Sequence, residues 1–460
     1  MKKNRPFTQR KPRVTVMTEG VIWKQVLLFA VPILLSNLLQ QLYYTMGSII
    51  VGQFVGKVAL AAVGNSGMIT NLFIGFFVGL STGEGVIISR YYGAGDIKTL
   101  HDAVHTSVAL AIVSGVAIGA VGFIFTPTIL RLIDTPQDVF EQSVGYLRIV
   151  FAGTVFTTIY NIGGGIMRAI GDSKRPLYYL AVCSVINIAL SILFVKAFDM
   201  GINGVAYATV IAQAISAALV MISLIRTTLP VRVIIKHIRI NVKRLAEIVK
   251  IGIPAGLQSV VINLSNIIIQ SFINGFGSTA MAGFTAASRI DSFVFMVLNA
   301  LALTVTTFVG QNVGAGQLER AKRGSRVCIL LSAGLTLATG LFLASFSRFF
   351  ISLLNGEPDV VEYGSQIVRI FGTCYILHAI PEAMSGSMRG AGSSFIPMLI
   401  SLLTLCVFRV AYLYVLVPIF DNIHVITWCY PVSWVLNTIV FSIVYFKGDW
   451  LRRHEKAEAV

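Results

Sequence analysis

MRAIGDSKRP, residues 167–176, returns 221 positions later as MRGAGSSFIP, residues 388–397. The same offset sets Gly93-Ala94-Gly95 on Gly314-Ala315-Gly316. It also sets Asp138, Val139, Glu141, Arg148 and Ile149 on Asp359, Val360, Glu362, Arg369 and Ile370, and with one residue of slip Pro32 falls on Pro254. Matches held at one spacing over most of each half mark an internal repeat, and the repeat has to be recognised before any motif is read. The repeated segment itself reads as a structural joint. Gly171 can end one helix, Pro176 can start the next, and Lys174 and Arg175 lie between them.

The repeated unit is a set of apolar spans. Of 460 residues 55% are hydrophobic and only 12% charged, with a mean hydropathy of +0.80, where an average soluble domain carries about 25% charge. A bilayer core takes about 20 apolar residues per helix. Twelve such stretches run over approximately 24–52, 60–89, 103–127, 140–167, 176–198, 202–226, 245–272, 279–309, 325–347, 362–388, 397–419 and 424–446. The expected fold is therefore an all-α integral membrane protein. Six spans per half is an even number, so the second half enters the membrane in the same orientation as the first. Such parallel repeats are related by an axis along the membrane normal, and their substrate sites lie at the interface between them. The expected organisation is a basic tail (1–23), a first six-helix half (24–226), a linker (227–244), a second half (245–447) and a tail (448–460). The linker belongs to a basic, amphipathic segment suited to lying on a membrane face.

A formal charge of +16 raises the question of nucleic acid, and the placement of the charges answers it. With these spans, 28 of the 36 Lys and Arg lie on the side of the N-terminus. Lys57, Arg131, Lys196 and Arg348 lie opposite, and Arg148, Arg289, Arg369 and Arg409 fall within spans. This asymmetry is the positive-inside pattern, which places both termini in the cytosol. The basic pI thus reports topology and attraction to anionic lipid heads in the bilayer, and no nucleic-acid partner is expected. The first span is too long for a signal-peptide core and has no small-residue cleavage site behind it, so the basic stretch reads as an uncleaved tail. Cys183, Cys328, Cys374, Cys406 and Cys429 sit in or at the ends of apolar spans without metal-type spacing and read as small core residues. Neither a metal-spaced His/Glu set nor a Ser/His/Asp arrangement is present, so no metal, no resident cofactor and no enzymatic activity are expected.

A charge at mid-bilayer costs about 2.5 to 3.5 kcal/mol and usually faces a cavity or the bundle interior. Of 20 acids, 17 fall in loops or at span ends, leaving Glu84, Asp291 and Glu382. His378 precedes Glu382 by four residues, so the two can share a helix face and a proton. Pro381 between them can kink the span and free a carbonyl for a cation. Asp291 lies about twelve residues into its span, and Arg289, two residues away, projects to another side; a partner must come from elsewhere, with Arg409 a candidate. Glu84 reads as close enough to the cytosolic edge to be hydrated and inert, or else as an acid for the N-half. Among the amides, Asn161, Asn187, Gln270, Asn266 and Gln41 are candidates to line a substrate cleft, and the offset sets Asn161 opposite Glu382. The 29 phenylalanines read as core or lipid-facing.

Twelve spans in two halves, the paired MRxxGxSxxxP joints, the YYGAGD and GQNVGAGQ loops and QLYYTMGSIIVGQFVG in the first span together resemble the multidrug and toxic compound extrusion (MATE) transporters of bacteria. The likeness covers the chain apart from the N-terminal tail and the last dozen residues. It implies a monomeric antiporter of the inner or plasma membrane that exports small amphiphilic, often cationic compounds in exchange for Na⁺ or H⁺, rocking one half against the other. Two family acids are missing: Gly47 stands where many members have an aspartate before the V-G pair, and Ser191 ends the NIALS that replaces Asn-x-x-x-Asp from Asn187. Glu84 stands where the likeness leads to a small residue. Coupling is therefore expected to rest on Glu382 and Asp291, with His378 tuning Glu382. The rival expectation is a flippase or exporter of a lipid-linked saccharide or metabolite, whose relatives commonly have two further helices and a strongly cationic cavity.

Overall fold

The computed structural model describes residues 16–420, 422–448 and 450–451, without the side chains at 65, 68, 71–74 and 76. Most of the expected N-terminal tail and of the tail after 448 lies outside the described residues. The first half consists of α1 (Ile22–Phe54), α2 (Lys57–Gly93), α3 (Ile97–Leu132), α4 (Gln137–Ala152), α5 (Thr154–Ala169), α6 (Lys174–Lys196) and α7 (Gly201–Arg226). The second consists of α8 (Val242–Asn274), α9 (Ser278–Gly314), α10 (Leu318–Ser345), the short α11 (Ser347–Ser352), α12 (Pro358–Cys374), α13 (Ile376–Gly390), α14 (Phe395–Ser401), α15 (Phe408–Phe420) and α16 (Ile423–Lys447). A π-helical turn, Leu402–Val407, joins α14 to α15 into one span.

Among the described residues nine helices are long and apolar enough to cross a bilayer, and the bent pairs α4–α5 and α12–α13 add two broken spans. The remaining long helix, α2, has 37 residues, which at about 1.5 Å each is more than a bilayer's thickness. With α2 counted, six long helices or bent pairs fall in each half. The repeat is visible in where helices begin. α2 and α9 start at 57 and 278, α3 and α10 at 97 and 318, α4 and α12 at 137 and 358, and α6 and α14 at 174 and 395, each pair separated by the sequence offset.

Two spans differ from the continuous helices expected. The fourth bends by 46° after Ala152 and the tenth by 50° after Cys374. Small residues set the close packing around both breaks. A Cβ on Gly153 would lie 2.5 Å from Val210, and one on Gly372 would lie 2.5 Å from the carbonyl oxygen of Gly340. The tenth span therefore bends at Tyr375 and not at Pro381, through which α13 continues. Proline leaves the carbonyl four residues back without its helical donor, and that carbonyl, on Leu377, accepts from the hydroxyl of Thr438 on α16. The freed oxygen is consumed by packing and does not face a cation.

The linker after α7 is mostly extended, with a single 3₁₀ turn at Ile235–His237. It is strapped to the start of α3. The amide of Ile234 donates to His105 Nε2 at 3.0 Å and that of Asn241 to Thr106 Oγ1 at 3.1 Å, while Val231 and Val233 are buried.

Candidate functional site

The halves meet through glycines. α2 crosses α8 so closely that a Cβ on Gly79 would lie 2.2 Å from the Cα of Gly256, and one on Gly83 would lie 2.6 Å from the amide nitrogen of Gly252. Near the end of the molecule that carries the start of α1, the ends of α2 and α9 cross in the same way. A Cβ on Gly93 would lie 2.0 Å from the carbonyl oxygen of Gln311, and one on Gly314 would lie 1.9 Å from that of Arg90. Gly93 and Gly314 are repeat equivalents, as are Arg90 and Gln311, so the contact is a two-fold one between matching helices. Gln311 Nε2 also donates across it to the carbonyl of Ala169 at 2.7 Å.

Toward the opposite end the contact opens. Among the described residues, the Cβ built on Gly75 meets only Ser259 at 3.7 Å, and those on Gly67, Gly64 and Gly47 meet nothing within 4 Å. The separated stretch carries polar side chains. On α8, Asn263, Asn266, Gln270 and Asn274 recur at helical spacing and are exposed or half-buried, with Gln270 Nε2 donating to Asn274 Oδ1 at 2.9 Å. With the one-residue slip, Gln41, Tyr44 and Ser48 occupy the positions on α1 equivalent to Asn263, Asn266 and Gln270. An amide facing lipid has no partner, so such a stripe belongs in a wet cleft.

Two of the expected cleft amides make hydrogen bonds within their own half. Asn187 is 2% exposed and donates to Thr209 Oγ1 at 3.2 Å, tying α6 to α7. Asn161 donates back to the Thr157 carbonyl of its own helix at 2.8 Å.

Glu382 and His378 do share a face of α13, but they have separate partners. Glu382 Oε1 accepts from Arg389 Nη2 at 2.9 Å, a pair in which both side chains are largely shielded. Arg389 Nη1 continues to Gln258 Oε1 at 3.3 Å, and Gln258 Nε2 donates to Ser401 Oγ at 2.9 Å, so the network ties α13 to α8 and α14. The His378 ring lies 5.1 Å from Phe295 and 5.5 Å from Trp434, and its Nδ1 is buried without a hydrogen-bond partner. Among the described residues no hydrogen bond joins His378 to Glu382; the two act on each other through space, and the carboxylate's direct partner is a guanidinium. The reason is reach, since an arginine seven residues on lies two turns along the same face.

Asp291 half-emerges from α9, and its Oδ1 is buried with no hydrogen-bond partner among the described residues. Tyr375 and Arg409 are the side chains that act on it, and Arg289, as its position around the helix required, is exposed elsewhere. Arg409 is 3% exposed, donates from Nε to Ser433 Oγ at 2.7 Å and lies 4.5 Å from the centre of the Tyr430 ring. Asp291 and Arg409 stand close without forming an ion pair.

Glu84 is fully buried, which corrects its reading as a hydrated edge residue. Ser81 Oγ donates to its Oε1 at 3.4 Å, its Oε2 has no partner among the described residues, and Gly165 makes room for it, since a Cβ there would lie 2.3 Å from Oε1. Arg168 is the neighbouring cation, with Nε buried and unpartnered. The offset makes Arg168 the copy of Arg389 and Gly165 the copy of Gly386, against which Val305, the copy of Glu84, packs at 2.6 Å from a built Cβ. Each half therefore sets a largely shielded carboxyl near the arginine of its joint. In the C-half the acid comes from α13, and in the N-half, where Asn161 takes that place, it comes from α2. Sequence reading left Arg168 and Arg389 in a structural joint. The signal that could have found them is their duplication, together with the two-turn spacing from Glu382.

The family model MatE matches the chain twice, over residues 32–193 and 254–415. A probable multidrug resistance protein of Bacillus subtilis (strain 168), YoeA, is 32% identical over 403 residues, covering 86% of this chain and 87% of that one. The probable multidrug resistance protein NorM of Thermotoga maritima is 24% identical over 446 residues and covers 94% of each. Among solved structures, a MATE protein in its bent conformation superposes with a TM-score of 0.90 at 20% identity, covering 96% of this chain and 98% of that one. A doubled family match on the two structural repeats, a relative of this identity along most of the chain and a common fold lead to one conclusion: this multi-pass membrane protein belongs to the MatE family of transporters.

Proposed function

We propose that the protein is a cation-coupled multidrug exporter of the bacterial plasma membrane, working as a monomer with both termini in the cytosol. Small amphiphilic, often cationic compounds enter the wet cleft between α1 and α8, and the halves rock, parting at the glycine crossings in one of the two states, to expose that cleft to either side in turn. Coupling needs an ion that favours one state, because a ligand with equal affinity for both shifts nothing. Asp291 and Glu382 are the residues proposed to carry it, with Glu84 beside Arg168 as the N-half's own buried carboxyl.

The observation that carries this reading is the site of Asp291, a carboxyl oxygen buried without a hydrogen bond beside a buried arginine that it does not pair. An intramembrane acid held this way is costly unless it is used. Both proposed carboxyls have arginine neighbours. A guanidinium repels Na⁺ from the oxygens and equally favours the ionised carboxylate over the protonated one, so the arginines do not select between Na⁺ and H⁺, and the gradients must. The test is efflux from proteoliposomes under separately imposed pH and Na⁺ gradients, with Glu382→Gln and Asp291→Asn. Dye movement should follow one of the two gradients and be lost in both variants, and coupled transport at wild-type rate in both would remove the assignment.

A further inference from the structure

At the end where the halves meet, a cavity of about 310 Å³ lies between them, lined by Arg90 and Tyr91 of α2, Glu247 and Lys250 of α8, and the turn at Gly392. The single carboxylate among the described residues of this lining is already engaged. Glu247 accepts from Arg244 Nη1 at 2.8 and 2.7 Å and from the Tyr91 hydroxyl at 2.8 Å. Arg90 and Lys250 have no hydrogen bond or ion pair among the described residues and give the cavity its excess of positive charge.

The repeat indicates what Arg90 is for. Its copy is Gln311, which reaches into the first joint and donates to Ala169 at 2.7 Å. Arg90 reaches in the same way toward the second joint, where its Nη1 would lie 3.0 Å from a Cβ on Gly392, a glycine at φ +90° matching Gly171 at φ +92°. One arm of a two-fold arrangement is thus a bonded amide. The other is a guanidinium with room beside it and a lysine on the wall of the same cavity, and among the described residues no free carboxylate lines that room.

We propose that this cavity binds a phosphate group between Arg90 and Lys250. A guanidinium offers paired donors that match phosphate oxygens, and a lysine adds a point charge. The phosphate can belong to a phospholipid headgroup entering from the membrane surface or to a soluble phosphate. Because the lining comes from α2 on one side and from α8 and the Gly392 turn on the other, bound phosphate favours the state in which this end is closed, and is released as the halves part.

The test is the thermal unfolding of detergent-purified protein titrated with a short-chain phosphatidylglycerol, with inorganic phosphate, and with the corresponding diacylglycerol, which has no phosphate. A saturable upward shift is expected with at least one phosphate probe and none with diacylglycerol. A response to phosphatidylglycerol alone identifies a headgroup, and a response to inorganic phosphate identifies a soluble ligand; both support the site. Arg90→Gln, which installs the residue of the other repeat, combined with Lys250→Gln should weaken the response at least about tenfold, the loss of a charge-assisted pair. Arg239→Gln with Lys243→Gln, an equal loss of charge at a neighbouring part of the same face, should leave it unchanged, and Arg90→Lys should retain part of it. The proposal is overturned if neither phosphate probe shifts wild-type protein, or if the two double variants lose the response equally.

Discussion

Gly79→Ala is the sharpest perturbation of the proposed rocking motion. The added methyl would lie 2.2 Å from both the Cα and the amide nitrogen of Gly256. Carbon atoms rest at about 3.5 to 4.0 Å, so α2 and α8 must separate by roughly 1.5 Å at this point. Both clashing atoms are backbone, and no side chain can swing aside to absorb the strain. Overpacking of this kind costs about 1 to 3 kcal/mol. If the contact exists only while this end is closed, that cost falls on one state alone and lowers its population relative to the other by about 5- to 150-fold. Spin labels at Lys98 and Glu319, exposed equivalents at the starts of α3 and α10, would read the change as a longer distance. Gly47→Ala, which points into open space, is the control expected to leave the distribution alone. A folded Gly79→Ala protein with the wild-type distance distribution would refute the view that this crossing sets which end is closed.

Arg389→Ala strands the largely shielded Glu382 carboxylate, and removing one partner of a buried pair costs about 3 to 5 kcal/mol. Thermal unfolding should fall sharply, and the double variant Arg389→Ala/Glu382→Gln should recover much of the loss; equal instability of single and double variants would show that the arginine acts through packing instead. Thr438→Val keeps the shape of the side chain but leaves the Leu377 carbonyl opposite Pro381 without its donor. An unsatisfied buried acceptor costs about 1 to 3 kcal/mol, to be seen as a lowered unfolding temperature, and an unchanged one would mean that the carbonyl finds another donor.

Much of the architecture was legible because membranes restrict what a sequence can do. Backbone polar groups in hydrocarbon must be satisfied within a helix, so apolar length translates directly into spans, and a constant 221-residue offset translates into two equivalent halves. The broken spans were less legible. Pro381 was the conspicuous residue, but the bend falls at Tyr375, where the close approach of Gly372 to Gly340 sets the path of the chain. Nothing in the local sequence around Tyr375 ranks above a proline as a helix breaker, and the cause lies on another helix.

The sequence by itself determined the class of protein, the doubling of its fold and the short set of acids that hydrocarbon would not tolerate without reason: Glu84, Asp291 and Glu382. Their partners were decided only in three dimensions. Helical periodicity brings His378 and Glu382 onto one face, yet the carboxylate takes Arg389 two turns away, while His378 packs against Phe295 and Trp434. Glu84, which its place along α2 suggested was hydrated, is sealed by a glycine on α5. Periodicity fixes the direction in which a side chain leaves its own helix. Which group it meets depends on how closely the neighbouring helix approaches, and here that distance is set by glycines whose partners are up to hundreds of residues away in the chain.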